Sequence, residues 1–407
     1  MVLRALRHRD YRLFWFGSFV SNVGLWMQQI ALGWLVYQLT NKPSWLGIVG
    51  FVANLPMLAL GLLGGAFADR AGRRTIMLGA QLVLAANALA LAALTYLGQI
   101  AVWHILIVAA ISGTASALYT PAVHAVVPSL VGPADLLNAI SLNAVQFNLA
   151  RTIGPVLAGH LYGAAGPTSC FLANAAGFLV LTLFLFRMEI PTRPAAIGAP
   201  SMARALRDGL RYARTHPVIW PALLLTGVMS VFGFPYIILM PAVARDTLHL
   251  DASGLGQLMT AVGAGAVLGG LGLSLAGELP RRGLVATLCA LGFGVCLSSF
   301  AVVPTAFGTG ALFFLLGVLG TACVATLNTT IQAAVEDGMR GRIMSMVTVL
   351  LFGFGTIGSL VLGMLGDHIG VPRALSLGGG VIVVAAVAAL TRAEHLLAAH
   401  PAASSVA

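Results

Sequence analysis

The chain has 407 residues, of which 59% are hydrophobic and 8% charged, and its formal net charge is +10. A soluble globular domain carries about a quarter charged residues, so this composition excludes the soluble class. The positive balance does not make the chain a nucleic-acid binder, because its distribution assigns it to one face of a membrane.

Charge-free apolar runs recur from end to end, and a bilayer core takes about 20 helical residues. Loop signals divide the chain into twelve candidate spans: 12–39, 44–68, 75–98, 101–127, 136–164, 168–187, 218–243, 254–277, 284–303, 307–333, 342–367 and 372–391. The basic start, Arg4, Arg7, Arg9 and Arg12, precedes a run too long and too polar for a cleavable signal core. Span one therefore reads as an uncleaved signal-anchor. With the N-terminus inside, 18 of the 22 basic residues fall in cytoplasmic segments, Lys42, Arg245 and Arg373 fall outside, and Arg151 lies within a span. The positive-inside rule then places both termini in the cytoplasm, with the basic face toward anionic lipid.

The connection after span two reads GGAFADRAGRR, residues 64–74. Gly64 and Gly65 allow close helix approach, and Asp69 lies where a neighbouring helix N-terminus would attract its carboxylate. Span five carries NLARTIGP, residues 148–155. At ~1.5 Å per residue, Arg151 is ~22 Å from one end of that helix and ~18–20 Å from the other, too far to reach either surface fully. Two readings are open. Arg151 is a structural post on carbonyls freed by Pro155, or it presents positive charge to an anionic or carbonyl-rich ligand.

Between spans six and seven, residues 188–217 open with Pro191, Pro194 and Pro200 as linker. Ser201 then caps a short helix whose Arg204, Arg207, Arg211 and Arg214 form one basic stripe, expected on the inner leaflet surface. The second half echoes the first. TIGPVLAGHLYGAAG (152–166) matches TIGSLVLGMLGDHIG (356–370) at an offset of 204, with Gly355 opposite Arg151. GRR (72–74) echoes PRR (280–282) at an offset of 208. This points to a parallel duplication, as in rocking secondary transporters with a substrate site between repeats. Domains follow: bundle 1–187, linker 188–217, bundle 218–392 and tail 393–407. The four cysteines, Cys170, Cys289, Cys296 and Cys323, fall in apolar runs without paired spacing, and neither disulfide nor metal site is expected.

The 64–74 loop resembles the signature of the major facilitator superfamily, matched by Gly65, Asp69, Arg70, Gly72, Arg73 and Arg74. LNAISLNAVQFNLARTIGPVLAG (137–159) and IQAAVEDGMRGRIMSM (331–346) resemble the branch of enterobactin exporters and macrolide efflux proteins, the drug:proton antiporter-3 or transmembrane secretion effector group. The branch often has an Arg after the Pro-Ala of span four, where this chain has Val123 and His124. The resemblance implies an all-α membrane protein, twelve helices in two pseudo-symmetric six-helix bundles. It further implies a gate in which Asp69 meets the start of span eleven, at Arg340 and Arg342. Spans one, four, seven and ten would line a central cavity, with candidates Asn22, Trp26, Gln29, Ser116, Tyr119, Arg151, Phe232, Tyr236, Asn328 and Gln332.

All twelve Asp and Glu residues lie in loops or at span ends, so a proton cannot be carried by the mid-membrane carboxylate that drug pumps commonly use. The coupling candidates are His124, His160 and Glu336, besides Asp69, the histidines because they titrate near neutrality. No nucleotide loop, metal cluster or nucleophile–base pair marks an enzyme, and no cofactor is expected. The chain reads as a monomeric, alternating-access exporter of a siderophore-like or drug-like molecule in the bacterial inner membrane, with protons as the candidate coupling ion. The alternatives are an importer or facilitator of a metabolite, and a non-transporting receptor or assembly partner.

Overall fold

The computed structural model describes residues 3–60, 72–189, 202–277, 279, 281–302 and 305–392, and every regular element among them is helical. Among the described residues, nine helical segments are long and apolar enough to cross a membrane. Two compact units emerge: Met1–Ala199 with Met240–Thr260, and Pro200–Leu239 with Ala261–Ala407.

The first unit contains α1 (Arg9–Thr40), α2 (Pro43–Leu60), α3 (Arg73–Tyr96), α4 (Val102–Val131) and α5 (Leu136–Arg187). Backbone-permissive residues end the helices: Asn41 in the left-handed region closes α1, and Gly132 at φ 72° closes α4. α5 is two helices broken at Gly166, whose φ of 73° no helix tolerates. Pro167 follows at the first helical position, where its missing N–H costs nothing. One core cluster of this unit gathers Tyr11, Phe14, Met77, Val126, Leu181 and Leu185. At the other end, the segment 240–260 joins this unit by polar contact. The Tyr37 hydroxyl donates to the Asp246 carboxylate, while Arg245 donates to the Tyr37 carbonyl at 3.4 Å and lies 5.7 Å from its ring centroid.

The second unit contains α6 (Met202–Thr215), α7 (Ile219–Val228) and α8 (Pro235–Ala242). Its α9 (Ala252–Ala276) begins in the first unit. There follow α10 (Arg282–Ser298), α11 (Ala306–Ala334), α12 (Asp337–Thr348), α13 (Gly355–Ile369) and α14 (Val371–Arg392). Thr305 caps α11 by accepting from the Gly308 N–H at 3.2 Å. π-helical turns at 229–233 and 349–354 interrupt the paths from α7 to α8 and from α12 to α13. Phe234, Tyr236, Phe293, Phe300 and Phe313 form a chain of ring contacts, Tyr236 stacking on Phe313 at 5.6 Å.

Glycines close both units by the same device. A Cβ on Gly154 would stand 2.5 Å from Trp26 Cβ and 3.1 Å from the Val23 carbonyl oxygen. On Gly358, its counterpart at an offset of 204, a Cβ would stand 2.0 Å from the Val231 carbonyl oxygen. Gly113 and Gly317 repeat the pattern against Ala53 and Val262, with Cβ-to-oxygen distances of 2.0 and 2.2 Å. Helix backbones approach this closely only where no side chain intervenes.

Candidate functional site

A cavity of about 680 Å³ lies wholly within the first unit. α1 contributes Phe14, Ser18, Ser21, Asn22, Leu25 and Gln28; α3 contributes Gln81 and Leu84. α4 presents Ser112, Ser116, Tyr119, Thr120, Val123 and His124 at helical spacing, and α5 closes the wall with Ile140, Asn143, Phe147, Phe178 and Leu181. None of the lining residues is Asp, Glu, Lys or Arg.

Neighbours hold several of the polar walls. The Tyr11 hydroxyl donates to Asn143 Oδ1 at 2.9 Å and to the Ala139 carbonyl at 2.8 Å. Asn174 Nδ2 donates to Gln28 Oε1 at 2.8 Å, and Asn87 Nδ2 to Ser112 Oγ at 3.0 Å. Ser18 Oγ and Gln81 Oε1 are buried beside the Tyr119 hydroxyl, whose one proton can serve only one of the two.

Of the ten residues expected on a cavity wall, Asn22, Ser116 and Tyr119 line this one. Trp26 does not, because at 100° per residue it sits roughly 80° around the helix from Ser18. That direction carries it onto Gly154 of α5. There it meets Phe147 edge-on at 5.9 Å, and the Arg151 guanidinium lies 5.6 Å from its ring centroid. Arg151 is half-buried, and its contact with Trp26 is a cation–π pair. The carbonyl hydrogen bonds expected of a structural post are not among its contacts with described residues. Gln29 is exposed and outside the lining. In the second unit, Tyr236 is 2% exposed, buried among the aromatic rings. Phe232 lies in the first π turn, and Gln332 Nε2 donates to Asn328 Oδ1 at 3.1 Å along α11.

The expected gate divides. Gly65, Asp69 and Arg70 lie outside the described residues. Gly72, at φ 79°, starts α3. Arg73 donates to the Ala125 carbonyl at 3.2 Å and Arg74 to the Phe186 carbonyl at 2.8 Å. Arg74 thereby caps the end of α5, where carbonyls lack helical partners and a cation is favoured. Arg340 pairs with Asp337 at 2.9 Å and Arg342 with Asp208 at 3.3 Å.

Asp208 belongs to α6, the helix expected on the leaflet surface. That helix packs on the start of span eleven: Gly209 faces Met346 and Arg342, and the Glu336 N–H donates to the Tyr212 hydroxyl at 3.4 Å. Just beyond it, His216 Nδ1 accepts from the Val218 and Ile219 N–H groups at 3.2 and 3.3 Å. Burial pulls its pKa below the usual 6.5, against an upward pull from Glu336.

The coupling candidates are equally scattered. His124 stands on the cavity wall, His160 Nδ1 is engaged with the Val156 carbonyl at 2.8 Å, and Glu336 is exposed at the start of α12.

Among known proteins, the family profile described as "Transmembrane secretion effector" matches residues 2–405. Macrolide efflux protein A of Streptococcus pyogenes is 24% identical over 381 residues, covering 92% of this chain and 93% of that protein. Enterobactin exporter EntS of Escherichia coli is 25% identical over 389 residues, covering 95% and 92%. The crystal structure of nucleoside transporter NupG shares the fold, with a TM-score of 0.73 at 15% identity over 94% of this chain and 98% of that one.

Proposed function

The chain belongs to the transmembrane secretion effector family of the major facilitator superfamily, and from that premise we propose that the cavity of its first unit receives the exported molecule. It is a multi-pass membrane transporter of the efflux kind, not an enzyme. The observation that carries the cavity's role is its combination of about 680 Å³, largely apolar walls and a few buried polar groups with more acceptors than donors. Binding sites for bulky organic molecules have this composition. The substrate is a small organic molecule, drug-like or siderophore-like. The names of the relatives, macrolide efflux protein A and enterobactin exporter, support that range.

The same reading holds twelve spans in two pseudo-symmetric bundles, 1–187 and 218–392, with both termini cytoplasmic. Counting the segment 133–187 as two spans at Gly166 and adding α1 and α2 to the nine apolar helices supports the number. The paired glycines support the duplication. Proton coupling, in a monomer, is assigned to His124, the only imidazole among the lining residues. Asp69 acts as a latch for the span-eleven segment, and Asp208 competes with it for Arg342. Asp69→Asn is expected to impair export with insertion intact, and unchanged export would remove the latch.

The direct test uses inside-out vesicles offered a panel of macrolides, siderophores and dyes, with and without a proton gradient. Accumulation that needs the gradient, and that is lost on filling the cavity with Ser116→Trp, is expected. Export unimpaired in Ser116→Trp would place the substrate elsewhere.

A further inference from the structure

Deep in the cavity, Ser18 is 7% exposed and Gln81 is 2% exposed. Ser18 Oγ and Gln81 Oε1 are buried, and both side chains stand within hydrogen-bonding reach of the Tyr119 hydroxyl, whose single proton can serve only one of them. The neighbouring polar groups differ, since Asn143 Oδ1, Gln28 Oε1 and Ser112 Oγ already accept from fixed partners. Buried acceptors are nearly always satisfied in folded proteins, and leaving one unmet is costly. With one phenol proton between two acceptors, reached from α1 and α3, this wall is a place where a ligand's donor is rewarded.

Charge narrows the donor. Among its described residues the lining has no carboxylate for an ammonium and no Lys or Arg for a sulfate or carboxylate, His124 being its one ionisable base, and burying an unpaired ion is far costlier than burying a hydroxyl. A hydroxyl donates through its hydrogen and accepts on its oxygen, which matches two acceptors beside a phenol. The large apolar side chains Phe14, Leu84, Phe147 and Phe178 supply a surface for a rigid hydrophobic body.

Given that the cavity is the export site, we propose that Ser18, Gln81 and Tyr119 form a subsite for an uncharged hydroxyl or phenol at one end of a bulky apolar ligand. The site reads neutrality and a donor together. It discriminates a phenol from its methyl ether, which keeps the shape and loses the hydrogen, and from its sulfate, which brings a charge.

The experiment measures tritiated estrone binding to the purified full-length protein in nanodiscs, with competition by its 3-O-methyl ether and 3-sulfate, the 3-phenol being the only hydroxyl of the parent. The expected result is that both competitors are weaker than unlabelled estrone by roughly tenfold or more, the scale of one buried hydrogen bond. Gln81→Leu and, as a second variant, Ser18→Ala should bring estrone and its ether within about threefold of each other, the scale of a fraction of such a bond. An unchanged thermal midpoint in either variant separates this from misfolding. Estrone, ether and sulfate competing equally in the wild type overturns the subsite. If all three are nonetheless lost in Ser116→Trp, the cavity stands as export site without it. Binding that survives Ser116→Trp overturns the cavity's role and the subsite with it. Binding of none of the three overturns the subsite, since a neutral phenol on an apolar body is the group it is built to accept.

Discussion

The two units share a backbone device and spend their interiors differently. In the first, the helix that begins the repeat carries Ser18, Ser21, Asn22 and Gln28 along a cavity wall. In the second, the corresponding stretch carries Met229, Phe234 and Tyr236 into a core with Phe293 and Phe313. Gly154 lets α5 approach α1, and Gly358 lets α13 approach the 229–233 turn, each too closely for a side chain to intervene. Next to them the halves part, with Arg151 lying over Trp26 while Gly355 faces the Ser230 carbonyl oxygen at a Cβ distance of 3.3 Å. The two units thus have glycine at both places where backbones touch, because no other residue fits there, and differ in the side chains that face these contacts.

That contrast can be broken at several points. The largest effect is expected from Phe313→Ala, which empties the ring cluster and should cost about 3–5 kcal/mol, whereas Gln81→Leu should cost less than about 1 kcal/mol because it removes one of two acceptors that share a single phenol proton. Denaturant unfolding in detergent compares them, and equal losses would erase the distinction between a packed and an open interior. Next, Gly358→Ala and Gly154→Ala should each cost about 1–3 kcal/mol by overpacking. Stability unchanged in either would remove the shared closure.

Smaller again is Arg151→Met, expected to lose about 0.5–2 kcal/mol from the cation–π pair and to leave the protein folded. Failure to fold in both Arg151→Met and Arg151→Lys would restore the structural post. The smallest effect concerns His216, whose folded pKa is lowered by burial. Between that lowered value and about 6.5 the unfolded chain binds more protons than the folded one, so stability falls as pH drops through this window. His216→Gln, which keeps an acceptor for the Val218 and Ile219 N–H groups, should flatten the dependence of the thermal midpoint between about pH 7 and pH 5.5. An equal slope in both proteins would sink the assignment.

Much of this could be read from residue order alone. Hydropathy marked the spans, and the break between spans five and six fell at Gly166 and Pro167 because φ above zero followed by a fixed φ is a covalent property of that pair. The offset of 204 found the glycines that close both units. Side-chain destinations were harder. Asn22 was expected on a cavity wall and is there, but Trp26 belonged to the face turned to Gly154. Gln81 escaped because a single amide in an apolar span has no periodicity of its own, and its meaning depends on α1 and α4 beside it. Arg342 was expected to serve a gate, and its partner Asp208 lies 134 residues earlier, on a helix whose basic stripe pointed instead to lipid.

The π turns at 229–233 and 349–354 set the unit's tolerance of changes in length. Each takes up about one residue more than an α turn would, and so rotates everything after it by about 100°. Deleting one residue inside 349–354 can therefore be absorbed by relaxing the turn to α geometry. Deleting one inside Gly355–Ile369 cannot, since Gly358 would leave its place against Val231. Among the described residues of the second unit, spare length is thus stored at two places in its helices.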